Sequence, residues 1–279
     1  MSKYLIGIGD SFTQGQGSVS DETYIKYGRE VYNSLHRLPI DNLERENSWV
    51  NVICRDYLDD YTAINLGEKG RGNRSAVKEL YLNDIDPAAE KIVVFNLSGM
   101  ERFDFAQKDA NFNTHHFYSM FPNPWDKGEP HYQLWKTYAE YVYSEQFCVI
   151  ETMLNLMEAQ MWCQANNAKL VWLSAFDMRI TKEHFIKNLP DKKRYLVDRI
   201  HWDKFLQPQG YRTMMHMLIA KQENDEKLAF DLAHGEYFEK YTKMHKAGRY
   251  ITPCAHPSEL GHQLFSEVLY HHLTDINYV

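Results

Sequence analysis

Four short, largely apolar runs, each set off from the next by a stretch read as helical, most narrow what this chain can fold into. They are Tyr4–Gly9 (YLIGIG), Thr62–Leu66 (TAINL), Lys91–Leu97 (KIVVFNL) and Lys169–Ala175 (KLVWLSA). A strand that is apolar throughout, rather than at alternate positions, is buried on both faces, as strands of parallel sheets are. Between the runs, Trp49, Val52, Ile53 and Tyr57 recur at helical spacing, and the stretch from Asn73 to Leu82 reads as a second helix. A long helix is expected from Leu134 to Asn166, with Phe147, Ile150, Leu154, Met157 and Met161 on its apolar face. A closing helix carries Leu260, Leu264, Phe265 and Val268 on one side. Asp10 to Ser20 is rich in Gly, Ser, Thr and Gln and reads as a loop. Strands alternating with helices predict an α/β fold, a mainly parallel sheet covered on both faces. Ligand sites in such sheets lie beyond the carboxyl ends of the strands. The ends to inspect are therefore Gly9 to Ser11, Leu66 to Asn73 and Leu97 to Arg102.

The 279 residues are enough for one large domain, read here as a single unit over 1–279 with insertions at about 104–132 and 179–250. The first insertion reads as aromatic and irregular, the second as charged and helical in parts. With 44% hydrophobic and 25% charged residues the chain is ordinary for a globular domain and is not a disordered one. The net charge of −7, with Lys and Arg scattered, argues against nucleic acid and anionic membranes as partners. No apolar run is long enough to span a bilayer, and YLIGIG lacks the basic start of a signal peptide, so a cytoplasmic location is expected. The four cysteines show no CxxC spacing and are expected as reduced thiols.

Chemistry concentrates at the end of the first strand, in GIGDSFTQGQG. Gly-Asp-Ser by itself is also turn chemistry, so Ser11 reads either as a turn residue or as a nucleophile. A serine hydroxyl at neutral pH needs a base to take its proton, and imidazole is the usual one. His256, preceding Pro257 and the closing helix, sits where a loop could aim it into a site.

Together these segments resemble the SGNH (GDSL-like) hydrolase superfamily, serine esterases and acylhydrolases on a flavodoxin-like three-layer α/β/α sandwich. The first block matches Gly9-Asp10-Ser11-Phe12-Thr13-Gln14-Gly15, the second Asn65-Leu66-Gly67-Glu68-Lys69-Gly70-Arg71-Gly72-Asn73, and the last His256-Pro257-Ser258-Glu259-Leu260-Gly261-His262. The resemblance implies Ser11 as nucleophile, His256 as general base, and the N–H groups of Ser11 and Gly70 as oxyanion donors, with Gly72 the alternative to Gly70. Two positions depart from the family. Met100 stands where an oxyanion Asn is usual, and methionine cannot donate a hydrogen bond. Losing such a donor typically costs about 10²–10³ in rate. Arg102, Asn73 or Ser98 would have to replace it, Arg102 being preferred. Pro253 stands where the triad acid is usual, leaving a Ser11–His256 dyad. Asp10 is expected to organise the turn, with Asn73 also in a supporting role. The pattern also resembles SGNH-like proteins encoded by large tailed bacteriophages, which would make the chain virion-associated.

Other motifs carry less. His262 is read as structural. The pairs His115-His116 and His271-His272 lack a zinc motif, so neither a metal nor a cofactor is expected. GEKGRG lacks the Lys-Ser/Thr ending of a phosphate-binding loop. The aromatic stretch from Phe117 to Trp135 reads as a lid or, alternatively, as a sugar platform. The resemblance, with the aromatic insertion, thus implies an esterase cleaving an acyl group, O-acetyl above all, from a small-molecule or glycan ester. The alternative is a structural or glycan-binding protein on the same fold with catalysis impaired.

Overall fold

The computed structural model describes residues 2–26, 38–108, 115–120, 132–233, 248–252 and 255–279. In chain order the elements are β1 (Lys3–Gly9), α1 (Ser11–Gln14), α2 (Asp21–Lys26), α3 (Leu38–Glu46), α4 (Trp49–Asp56), β2 (Thr62–Asn65), α5 (Asn73–Leu82), β3 (Glu90–Leu97), β4 (Phe103–Lys108) and β5 (His115–Met120). They continue with α6 (Tyr132–Thr137), α7 (Glu145–Ala165), β6 (Ala168–Ser174), α8 (Lys182–Asn188), α9 (Met214–Glu223), α10 (Glu226–Ala233) and α11 (Glu259–Asp275). The four expected strands form one parallel sheet in the order β2-β1-β3-β6. Phe205 adds a single parallel bridge outside β6, at Trp172.

Both faces of the sheet are covered, which is why the middles of β1, β3 and β6 are continuously apolar. On one face Leu5, Ile92, Val94 and Val171 pack with Trp49 and Ile53 of α4, Met217 and Leu218 of α9, and Phe265 and Leu269 of α11. On the other, Ile6, Ile8, Val93 and Phe95 pack with Val77 and Leu80 of α5 and Val149, Met153 and Leu156 of α7. The α/β fold with helices on both sides of a parallel sheet is therefore as expected. Among the described residues, no helix is long and apolar enough to cross a membrane.

The local expectations need five corrections. The predicted loop from Asp10 to Ser20 begins with a helical turn, α1, because the Asp10 carboxylate caps it by accepting the Phe12 N–H at 3.0 Å. The long helix breaks. Tyr138–Val142 is a π turn, Tyr143 is extended, and Ser144 starts α7 afresh by accepting the Phe147 N–H. The face of α7 is also rotated from the one expected: Leu154 and Met161 are 50% and 65% exposed, while Cys148, Thr152, Met153, Leu156 and Ala159 are buried. Apolar residues on most sides of this helix blur its periodicity, so spacing alone misplaces the buried stripe. On α11 Leu260 is exposed, and Leu269 and Leu273 take its place inside. Finally, the insertion expected to be irregular contains an antiparallel ribbon pairing Phe103 with Met120 through to Lys108 with His115. The side chains of 105–131, including His115, His116 and most of the aromatic stretch, lie outside the described residues.

One lysine is used as a structural clamp. Lys91 is 1% exposed, and its ammonium donates to the carbonyls of Asp86 at 3.1 Å, Pro87 at 2.9 Å and Ala89 at 2.6 Å. It closes the turn that delivers the chain into β3. Lys91→Met would strand these acceptors, and about 1–3 kcal/mol of stability should be lost. Urea unfolding reads this as a lowered midpoint at unchanged slope. A wild-type midpoint would show that the clamp contributes nothing.

Candidate active site

The sheet order reverses between β1 and β3, and the predicted site residues gather at that end. Gly9 closes β1 with φ +154°, and a Cβ there would lie 2.4 Å from Thr13 Oγ1 and 2.6 Å from the Asn96 carbonyl oxygen. Only glycine lets the chain fold over the strand ends at this point. Ser11 then opens α1, almost fully buried, at 4% exposure.

His256 reaches the same point from the far end of the sequence. Ser11 Oγ and His256 Nε2 are 2.9 Å apart. The loop presenting the imidazole is closed at its base. The Thr252 N–H and Oγ–H both donate to the His256 carbonyl at 2.9 Å, and the Ala255 N–H donates to the Thr252 carbonyl at 2.9 Å. Ala255 takes the left-handed conformation, φ +59°. Gly17 makes room for this loop: a Cβ on it would lie 2.6 Å from the Pro257 carbonyl oxygen and 3.1 Å from His256 Cβ. The Phe12 ring packs against the imidazole at 5.1 Å and against Phe176 at 5.4 Å. Pro253 and Cys254 lie outside the described residues.

Beneath the serine, the buried Asp10 carboxylate joins the first and third blocks. It accepts the Phe12 N–H through Oδ1, and Oδ2 accepts the Ser98 hydroxyl at 2.8 Å and faces Arg102 Nη1 at 3.2 Å. Burial pushes the Asp10 carboxyl above its ordinary value, opposed chiefly by the Arg102 guanidinium. Arg102 Nη1 also donates to the Arg71 carbonyl at 2.8 Å. Asn73 is engaged with Ser98 on both sides: its Oδ1 accepts the Ser98 N–H at 2.8 Å, and its amide donates to the Ser98 carbonyl at 3.3 Å.

The second block approaches from β2. Gly70 has φ +75° and open space where a Cβ would stand. Gly72, the alternative donor, is corrected: its N–H donates to Asp104 Oδ1 at 3.0 Å, so it faces a carboxylate rather than the serine. Asp104 also accepts the Ser75 N–H and hydroxyl, and so caps α5 from another segment. At the position of the missing oxyanion Asn, the Met100 side chain is buried in the core under α7, and its N–H donates to Asp177 at 3.0 Å.

Several holding residues carry no sequence signal that singles them out. Asn65 donates to the Thr13 carbonyl at 2.9 Å and accepts the Gly67 N–H at 3.0 Å, and Gln14 accepts the Lys69 N–H at 2.8 Å. Both stand inside the motif blocks, where position is the one available hint. Asp104 and Asp177 stand outside every motif. Asp177 is gripped in turn by Arg179 through its N–H, Nε and Nη2, and Arg179 pairs with Glu101 and Glu145. Cys54, Cys148 and Cys163 are buried, and burial pushes each thiol up to about 12.

His262 lies in the core beside the start of α4. It is fully buried and its Nδ1 accepts the Trp49 N–H at 3.3 Å, which requires a neutral ring. Burial lowers its pKa from 6.5 to about 3. Between these values the unfolded chain takes up a proton that the folded one refuses. The stability His262 contributes is therefore intact above pH 6.5 and falls as the pH drops toward 3. Thermal melts across this range should show acid destabilisation that is shallower in His262→Gln. Equal acid sensitivity in the variant would locate the effect elsewhere.

No family model and no curated protein sequence matches the chain. Among solved structures it is similar to a member of the lipolytic G-D-S-L family from Veillonella parvula, with 11% identity over 98% of this chain and 99% of the other and a TM-score of 0.36. It is also similar to a variant of an acetyl-xylooligosaccharide esterase from Geobacillus, with 14% identity over 96% of this chain and 93% of the other and a TM-score of 0.41.

Proposed function

We propose that this chain is an SGNH-type serine esterase acting through a Ser11–His256 dyad. The observation that carries the reading is the 2.9 Å approach of Ser11 Oγ to His256 Nε2 across 245 residues of sequence. In the working state the serine hydroxyl donates to the neutral imidazole. As Oγ attacks the acyl carbonyl, Nε2 takes the proton and then returns it to the departing alcohol. Water, activated by the same imidazole, releases the acyl group from Ser11.

The carbonyl oxygen becomes negatively charged in the first step and needs donors aimed at it. The N–H of Ser11 opens α1, and the N–H of Gly70 lies in a turn whose open side would admit a substrate. Arg102 supports both indirectly. Its Nη1 is engaged by Asp10 and the Arg71 carbonyl, so its contribution is the positive charge it holds beneath the nucleophile and the positioning of Asp10. Asn73 contributes by holding Ser98, which holds Asp10. The substrate class proposed is an O-acyl, above all O-acetyl, group on a carbohydrate.

Treatment with a fluorophosphonate probe and with p-nitrophenyl acetate tests the reading. Wild type should label and hydrolyse, Ser11→Ala should do neither, and His256→Ala should lower kcat by about 10²–10⁴. A wild-type chain that neither labels nor outpaces Ser11→Ala would leave the fold as that of a binding or structural protein.

A further inference from the structure

At the opposite end of the sheet, where β1, β3 and β6 begin, a cleft of about 430 Å³ opens among tyrosines and two ion pairs. We infer that this cleft is a second binding site, for a neutral saccharide. Its volume falls within the roughly 300–1,000 Å³ of small-ligand sites. One wall is aromatic: Tyr57, 38% exposed, lies against Tyr270 at 5.0 Å and 23° between ring planes. Such a wall suits the C–H face of a sugar ring.

The remaining chemistry is polar and balanced. Lys3 pairs with Asp60 at 2.6 Å and Lys169 with Glu90 at 3.0 Å, all four side chains retaining between 35% and 56% of their exposure. Paired charges leave little net field to select an anion or a cation. An ammonium has three donors and a carboxylate about four acceptor positions, so each pair still offers both kinds of partner to solvent. Donor beside acceptor is the complement of vicinal hydroxyls, each of which donates and accepts. The groups are held in place beforehand: Lys169 also donates to the Tyr278 carbonyl at 2.8 Å, and Tyr61 donates to Glu90 at 3.1 Å. Binding therefore orders few side chains.

The cleft and Ser11 sit at opposite ends of β1, roughly 20 Å apart at the rise of a strand. A polymeric glycan held at one end could be deacylated at the other. That coupling rests on the esterase reading, but saccharide binding does not.

Backbone amide NMR titration with xylohexaose, cellohexaose and chitohexaose tests the site. At least one should shift signals of Lys3, Tyr57 and Lys169 with millimolar affinity, equally in wild type and Ser11→Ala. Tyr57→Ala should bind about tenfold more weakly, the scale of one lost aromatic contact, while Tyr57→Phe retains binding. Unchanged fluorophosphonate labelling of Tyr57→Ala would show the active site intact. If no oligosaccharide moves these signals, or Tyr57→Ala leaves the shifts as they were, the site is overturned. Persistent shifts in a chain that never labels at Ser11 would keep this site and remove the esterase reading.

Discussion

The arrangement around Ser11 depends on one buried carboxylate. Asp10 is fully enclosed, and removing its charge from water is costly unless that charge is neutralised and hydrogen bonded. The Phe12 amide, the Ser98 hydroxyl and the Arg102 guanidinium meet that requirement, and each comes from a place the site needs fixed. Phe12 belongs to the helical turn that presents Ser11. Ser98 and Arg102 belong to the segment leaving β3. Satisfying Asp10 thus ties the turn after β1 to the segment leaving β3, beyond the last paired residues Gly9 and Asn96.

The other loops are joined by the same device, side chains bonded to backbone groups of a neighbouring segment. Asn65 and Gln14 tie the β2 exit to α1, Asp104 ties it to β4, and Asp177 ties the β6 exit to Met100. Loop backbone at the end of a parallel sheet has no ladder to pair with, so such bonds are its means of satisfaction. They also give the loops defined positions. The segment bearing Met100 is held although its side chain can contribute no donor.

How much was readable beforehand depended on whether the signal was local. The strands were legible because burial on both faces leaves an uninterrupted apolar run, as in KIVVFNL. The helix from Asn73 to Leu82 is legible in the sequence. The break at Ser144 was not, because Tyr138 to Val142 is held from outside the segment, with the Tyr138 hydroxyl donating to the Glu101 carbonyl. Spacing misplaces the buried face of α7 because apolar residues lie on most sides of that helix. At the second block, residue spacing cannot show that the Gly72 N–H is taken by Asp104, a residue of another segment.

Residue pattern alone was enough for the α/β layering, for the strand ends to inspect, and for Ser11 and His256 as candidates there. These follow from local patterns, since burial, turn formation and proton chemistry are written in residue type and spacing. Tertiary structure decided the rest. It brought His256 to Ser11, gave Arg102 to Asp10, committed Gly72 to Asp104, sent Met100 into the core, and assembled tyrosines and ion pairs at the far end of the sheet. Each of these rests on contacts between segments distant in sequence, and which groups meet is set by how the helices pack on the sheet.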